Sequence, residues 1–91
     1  MVTIIIPVLN EEKTIEKCIK NIIELPGQKE LIVVDGGSHD KTVEIARRYA
    51  QVITSPKGRA KQMNGGAKVA KGDILWFVHS DSKLHLSSIF E

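Results

Sequence analysis

The sequence contains one cysteine, and one cysteine forms no internal disulfide. It suits a reducing, cytoplasmic compartment, where stability has to come from packing. Aromatic residues are scarce too, with one Trp, one Tyr and two Phe among 91 residues, so Val, Ile, Leu and Ala must build the core. The formal net charge is only +2, with no arginine-rich run and no interleaving of basic and aromatic residues, which excludes nucleic acid as an evident partner. No apolar stretch approaches the roughly 20 residues that a transmembrane helix requires. The opening MVTIIIPVLNEE lacks a basic leader, and Pro7, Asn10 and two glutamates interrupt its apolar run, so it does not read as a signal peptide. At most the protein lies peripheral to a membrane.

The pattern that remains alternates strand and helix. Thr3 to Val8 is a β-branched run suited to a strand buried on both faces, with Pro7 at its end where ladder pairing stops. Asn10 is placed to cap a helix whose first turn holds Glu11 and Glu12. Ile15, Cys18, Ile19, Ile22 and Ile23 form its apolar stripe, which makes Cys18 a core thiol. Glu30 to Val34 reads as the second strand, Asp40 to Ala50 as the second helix and Gln51 to Thr54 as the third strand. A third helix spans Arg59 to Lys71, with Ala60, Met63, Ala67 and Ala70 inward. Gly65 and Gly66 inside it each cost about 1 kcal/mol relative to alanine, so something should approach closely there. Asp73 to Val78 is the fourth strand.

Short loops between such elements imply right-handed βαβ units and a mainly parallel sheet within a three-layer α/β/α, Rossmann-like domain. The expected strand order is 3-2-1-4, all in a single domain covering residues 1–91. Ligands bind such sheets beyond the carboxyl ends of the strands, where the order reverses. Three polar clusters fall at strand ends: Leu9-Asn10-Glu11, Asp35-Gly36-Gly37-Ser38 and His79-Ser80-Asp81.

Each cluster has a structural and a functional reading. Asp35 follows four apolar residues and must accept hydrogen bonds from a ligand or from nearby amides. Gly36 and Gly37 allow positive φ and close approach of the backbone, while Ser38 or Asp40 can cap the helix that follows. Arg59 and Lys61 put two cations near the first amides of the third helix, which suits a phosphate or a solvated face. His79 and Asp81 point the same way on an extended chain. They can share a cation, with aspartate suited to Mg2+ or Mn2+ and histidine better to Mn2+. Alternatively Asp81 or Ser82 caps a further helix.

Taken together, TIIIPVLNEEKTIEKCI, ELIVVDGGSHDKT and GRAKQMNGGAKVAKGDILWFVHSDS resemble the amino-terminal half of family-2 glycosyltransferases, in order and spacing over nearly the whole chain. The resemblance implies a nucleotide-diphospho-sugar transferase fold of the GT-A type. It implies that Pro7, Asn10, Glu11 and Asp35 hold the nucleoside, with Gly36 beside them, and that Arg59, Lys61 and Asn64 face the nucleotide and its phosphates. His79 and Asp81 then stand at the family's D-x-D positions, with Asp81 reaching a divalent cation, Mn2+ or Mg2+. Two positions depart from the family pattern. His79 replaces the first D-x-D aspartate, and Gly36 replaces a carboxylate of the D-D-G-S turn.

The resemblance also implies a second half, carrying the acceptor site and, for an inverting enzyme, a carboxylate general base. That half is expected outside these 91 residues, so the isolated chain should turn over weakly or not at all. The partners expected are a nucleotide-diphospho-sugar and an acceptor that is a lipid carrier, saccharide or protein. The edge of the fourth strand should be covered by a second copy or by a separate carboxyl half. Two other readings are a non-catalytic nucleotide-binding module and an unrelated doubly wound phosphoacceptor regulator using Asp35.

Overall fold

The computed structural model describes residues 1–79. In chain order the elements are β1 (Val2–Val8), α1 (Ile15–Ile23), β2 (Lys29–Asp35), α2 (Thr42–Ala46), β3 (Gln51–Thr54), α3 (Arg59–Val69) and β4 (Ile74–Phe77). The strands form one parallel sheet in the order β3-β2-β1-β4, as expected. The register sets Val8 beside Asp35 and Asp35 beside Thr54, while Ile5 lies beside Phe77. The carboxyl ends of β1, β2 and β4 therefore open on one edge, with the reversal between β1 and β4. Asp81 and the rest of the His79-Ser80-Asp81 cluster beyond His79 lie outside the described residues.

The β1 run is buried on both faces. Ile4, Ile6 and Val8 pack on one side with Ile15, Cys18, Ile19 and Ile22 of α1, with Val33 and with Ala46 of α2. Ile5 turns to the other side, where it joins Ile32 and Val34, flanked by Ala67, Ala70 and Leu75. This second core layer is thinner because α3 lies close to the sheet. A Cβ on Gly66 would come within 2.5 Å of Ile5 Cγ2 and 3.1 Å of Val34 Cγ2, which confirms the close approach expected at the glycine pair.

Three local expectations need correction. The first helix starts at Ile15 rather than just after Asn10, and its cap position, Thr14, makes no side-chain cap hydrogen bond. Asn10 instead takes a left-handed conformation, φ 53°, which asparagine tolerates better than most residues. The second helix is a five-residue α-helix from Thr42 rather than one running from Asp40 to Ala50. Past Ala46 the Arg48 amide donates to Ile45 and the Tyr49 amide to Ala46, each across three residues, while the Ala50 amide donates to the same Ala46 carbonyl across four, so the helix ends in a mixed turn. In α3 the buried positions are Gln62 and Gly66, while Ala60 is exposed and Met63, Ala67 and Ala70 are half-buried. A helix this close to a sheet turns its smallest residue inward, and Gln62 follows because it lies four residues earlier on the same face.

Three hydrogen bonds fasten the far end of the sheet. Thr3 is fully buried, and its hydroxyl donates to Glu30 Oε1 at 2.8 Å while accepting from the Gly72 amide at 2.9 Å. The Lys71 amide also donates to Glu30, at 2.8 Å. The Lys71 amide first, and the Thr3 hydroxyl second, hold the Glu30 carboxyl below its ordinary pKa against the opposing effect of burial. No helix among the described residues is long and apolar enough to cross a membrane.

Candidate functional site

The carboxyl end of β2 is a tight turn organised by Asp35, which is 4% exposed. Its Oδ2 accepts from the Gly37 amide at 3.1 Å and the Ser38 amide at 3.0 Å, and its Oδ1 from the Ser38 hydroxyl. Nearby amides thus satisfy the buried carboxylate within its own turn. Gly37, at φ 107°, is the glycine that the turn requires for its backbone conformation. Gly36 does not adopt positive φ; it is glycine for space. A Cβ there would lie 2.9 Å from Gln62 Cδ.

The end of β1 is tied to this turn. The Asn10 amide donates to Ser38 Oγ at 2.8 Å, and Asn10 Oδ1 accepts from the His39 amide at 2.7 Å. The asparagine therefore bridges two strand ends instead of capping a helix. One residue on, the Glu11 amide donates to Thr42 Oγ1 at 2.7 Å, and the Glu12 amide donates to Asp40 Oδ2 at 3.2 Å. Asp40 also accepts from the Thr42 amide at 2.9 Å, which fixes the turn leading into α2. Burial pushes the Asp40 carboxyl up, but the hydrogen bonds from the Thr42 side chain and amide and the Glu12 amide together bring it below its ordinary pKa. Asn10, Glu11, Glu12, Lys13, Thr14 and Asp40 line a hollow of about 430 Å³ on this side.

Between β1 and the start of α3 lies an open cleft of about 350 Å³. Pro7, Val8, Leu9 and Glu11 form one wall, Lys57, Gly58, Arg59 and Gln62 the other, and His79 closes one end. Gly58, at φ 139°, turns the chain into α3 and brings Lys57 and Arg59 to the rim. Arg59 Nη2 lies 3.1 Å from His79 Nδ1. A guanidinium only donates, so Nδ1 accepts, and the neutral ring then carries its hydrogen on Nε2. In this arrangement the Nδ1 lone pair of His79 is engaged by Arg59.

The cleft thus brings together Pro7, Glu11, Arg59 and His79 of the expected site residues. Asn10, Asp35 and Gly36 stand behind it in the turn network. Lys61 and Asn64 are exposed on α3 and do not line it. Gln62 and Lys57, which sequence reasoning passed over, do. Gln62 was detectable as the polar residue one turn after Gly58 and one turn before Gly66. Among the described residues no three or more His, Cys, Asp or Glu side chains are grouped to hold a metal ion. Of the two expected ligands, His79 is turned to Arg59 and Asp81 is not described.

The arrangement is a basic rim with outward donors at the reversal of a parallel sheet, suited to a doubly charged phosphate ester. Comparison with known proteins agrees. The sequence model described as "Glycosyl transferase family 2" matches residues 3–89. Glycosyltransferase AglE of Haloferax volcanii is 35% identical over 95 residues, covering 92% of this chain and 31% of its own length. A PGL/p-HBAD biosynthesis glycosyltransferase of Mycobacterium tuberculosis is 34% identical over 94 residues, covering 93% of this chain and 37% of its own. Among solved structures, glucosyl-3-phosphoglycerate synthase of M. tuberculosis, in complex with Mn2+, UDP and glucosyl-3-phosphoglycerate, superposes with a TM-score of 0.79 at 31% identity, over 89% of this chain and 33% of its own. A mannosyltransferase of Pyrobaculum calidifontis, in complex with GDP-Man and Mn2+, gives 0.78 at 29% identity, over 88% of this chain and 27% of its own. The chain spans about a third of the length of these relatives.

Proposed function

Because the chain belongs to glycosyl transferase family 2, we propose that its cleft binds the nucleoside diphosphate of a nucleotide-sugar donor, for transfer of the sugar to an acceptor with inversion. The observation that carries this reading is the cationic rim of Lys57 and Arg59 facing the end of β1 at the sheet reversal. Solved relatives matching this part of the fold contain UDP or GDP-Man with Mn2+, which supports both the ligand class and the use of a divalent ion.

In this reading Pro7 and Glu11 border the nucleoside, with Asn10, Asp35 and Gly36 shaping the wall behind them. Arg59 and Lys57 contact the diphosphate, and their charge favours its departure as the glycosidic bond breaks. The His79 Nε2–H donates to a phosphate or sugar oxygen. The described residues do not by themselves form a cation site, so the divalent ion is assigned to Asp81, where it would neutralise part of the diphosphate charge. Lys61 and Asn64, exposed on α3, would meet the ligand only at its outer side. Residues 1–91 act as one donor-binding unit. The acceptor, a lipid carrier, saccharide or protein, and the general base that deprotonates it belong to the remaining length that the relatives possess.

Calorimetry with UDP and GDP, each with and without Mn2+, tests the reading. Binding of at least one nucleotide, strengthened by Mn2+ in the wild type but not in Asp81→Asn, is the expected result. No binding of either nucleotide removes the reading, and an unchanged Mn2+ response in Asp81→Asn removes the metal assignment.

A further inference from the structure

Gln62 lines the cleft and is only 5% exposed, and its carboxamide is bonded to the backbone. Both hydrogens of Nε2 are taken, by the carbonyls of Val8 and Val34, each at 2.9 Å. Val8 is the last residue of β1 and Val34 the last but one of β2. Its Oε1 accepts from the Gly58 amide at 3.3 Å. The reversed amide would set its oxygen against two carbonyl oxygens, so the orientation is fixed by the partners. Gly36 leaves the space that the group fills, since a Cβ there would stand 2.9 Å from both Cδ and Oε1. One side chain thus joins two strand ends to the turn that starts α3. The next residue after that turn is Arg59, whose guanidinium reaches His79.

We propose that Gln62 is a positioning residue. It holds the Gly58–Arg59 turn against the ends of β1 and β2, and so fixes where Arg59 meets the diphosphate. The part concerning the diphosphate rests on reading the cleft as a nucleotide site. The carboxamide has spent its donors on the fold, so its effect on a ligand passes through Arg59.

Gln62→Met keeps the length of the side chain and removes the donors. A double-mutant cycle on the intact chain, read as nucleoside-diphosphate affinity, separates positioning from general support. Arg59→Ala should weaken binding about 10- to 100-fold in the wild type, the range for a hydrogen bond to a charged group. In the Gln62→Met background it should weaken binding less than about twofold, because the guanidinium is already out of place. An equal loss in both backgrounds overturns the proposal. Should Gln62→Met not fold, Gly36→Ala presses the carboxamide from the other side and should abolish the Arg59 dependence in the same way; full dependence there overturns it. A readout without nucleotide keeps the two ideas apart. The 15N shift of His79 Nδ1 should move in Gln62→Met, because Arg59 leaves it, and an unmoved shift overturns the latch. If the wild type binds neither UDP nor GDP while the His79 shift does move, the functional reading falls and the latch stands.

Discussion

The two neighbouring glycines of α3 should respond to alanine with opposite signs. Neither has positive φ, so alanine is accommodated by the backbone at both positions and gains about 1 kcal/mol of helix propensity at each. At Gly65 the new methyl would lie 3.6 Å from Ser55 Cβ and 3.9 Å from Val34 Cγ1, which is ordinary contact. Gly65→Ala should therefore stabilise the fold by up to about 1 kcal/mol, or about 4–8 °C in Tm for a domain of this size. At Gly66 the methyl would lie 2.5 Å from Ile5 Cγ2, on a side chain that is fully buried and cannot swing aside. Overpacking of this kind costs about 1–3 kcal/mol. The overlap is deep enough to place Gly66→Ala toward the upper end, a net loss of about 1–2 kcal/mol once the propensity gain is subtracted. Propensity cancels between the variants, so the difference between their urea midpoints, at unchanged m, measures how closely α3 lies on β1. Equal stabilisation by both alanines would refute the close approach, and with it the position of the Gly58–Arg59 turn over the strand ends.

Arg59→Ala should leave the urea midpoint nearly unchanged, because the side chain is exposed and its contact with His79 lies at the surface; Arg59→Lys should recover only part of the lost nucleotide affinity, since an ammonium lacks the planar fork. Full recovery by lysine in calorimetry would show that charge alone matters there. Glu30 supplies a pH dependence of stability. Its folded pKa is lowered, chiefly by the Lys71 amide and then by the Thr3 hydroxyl, so its contribution is complete above the ordinary glutamate value of about 4.3 and is lost as pH falls through the lowered folded value. Glu30→Gln should make the acid limb of a midpoint-versus-pH series shallower, and an identical limb would exclude Glu30 as a contributor.

The strand order was legible because β-branched runs, glycine turns and short connections leave few parallel topologies. The close approach at Gly66 was legible from the propensity that a mid-helix glycine sacrifices. The start of α1 was not, because asparagine serves helix caps and left-handed bridges alike. Only the fold brings Ser38 and His39 within reach of Asn10. Gly36 was read as a source of backbone freedom, whereas a side chain 26 positions later determines it. Gln62, a glutamine in a basic helix, resembles solvated surface, and only its spacing of four from both Gly58 and Gly66 marks it as inward. On the same helix, the family resemblance implies ligand contacts for Lys61 and Asn64, but both are exposed and neither lines the cleft.

The central claim is that a nucleoside diphosphate occupies the cleft between the end of β1 and the start of α3. Amide and side-chain shift mapping on 15N-labelled protein, titrated with UDP or GDP in Mg2+, locates the ligand directly. The account predicts the largest changes at Gly58, Arg59, Gln62 and His79 and along Leu9 to Glu11. Changes centred instead on Glu12 to Thr14 and Asp40, with Gly58 and Arg59 unmoved, would contradict it.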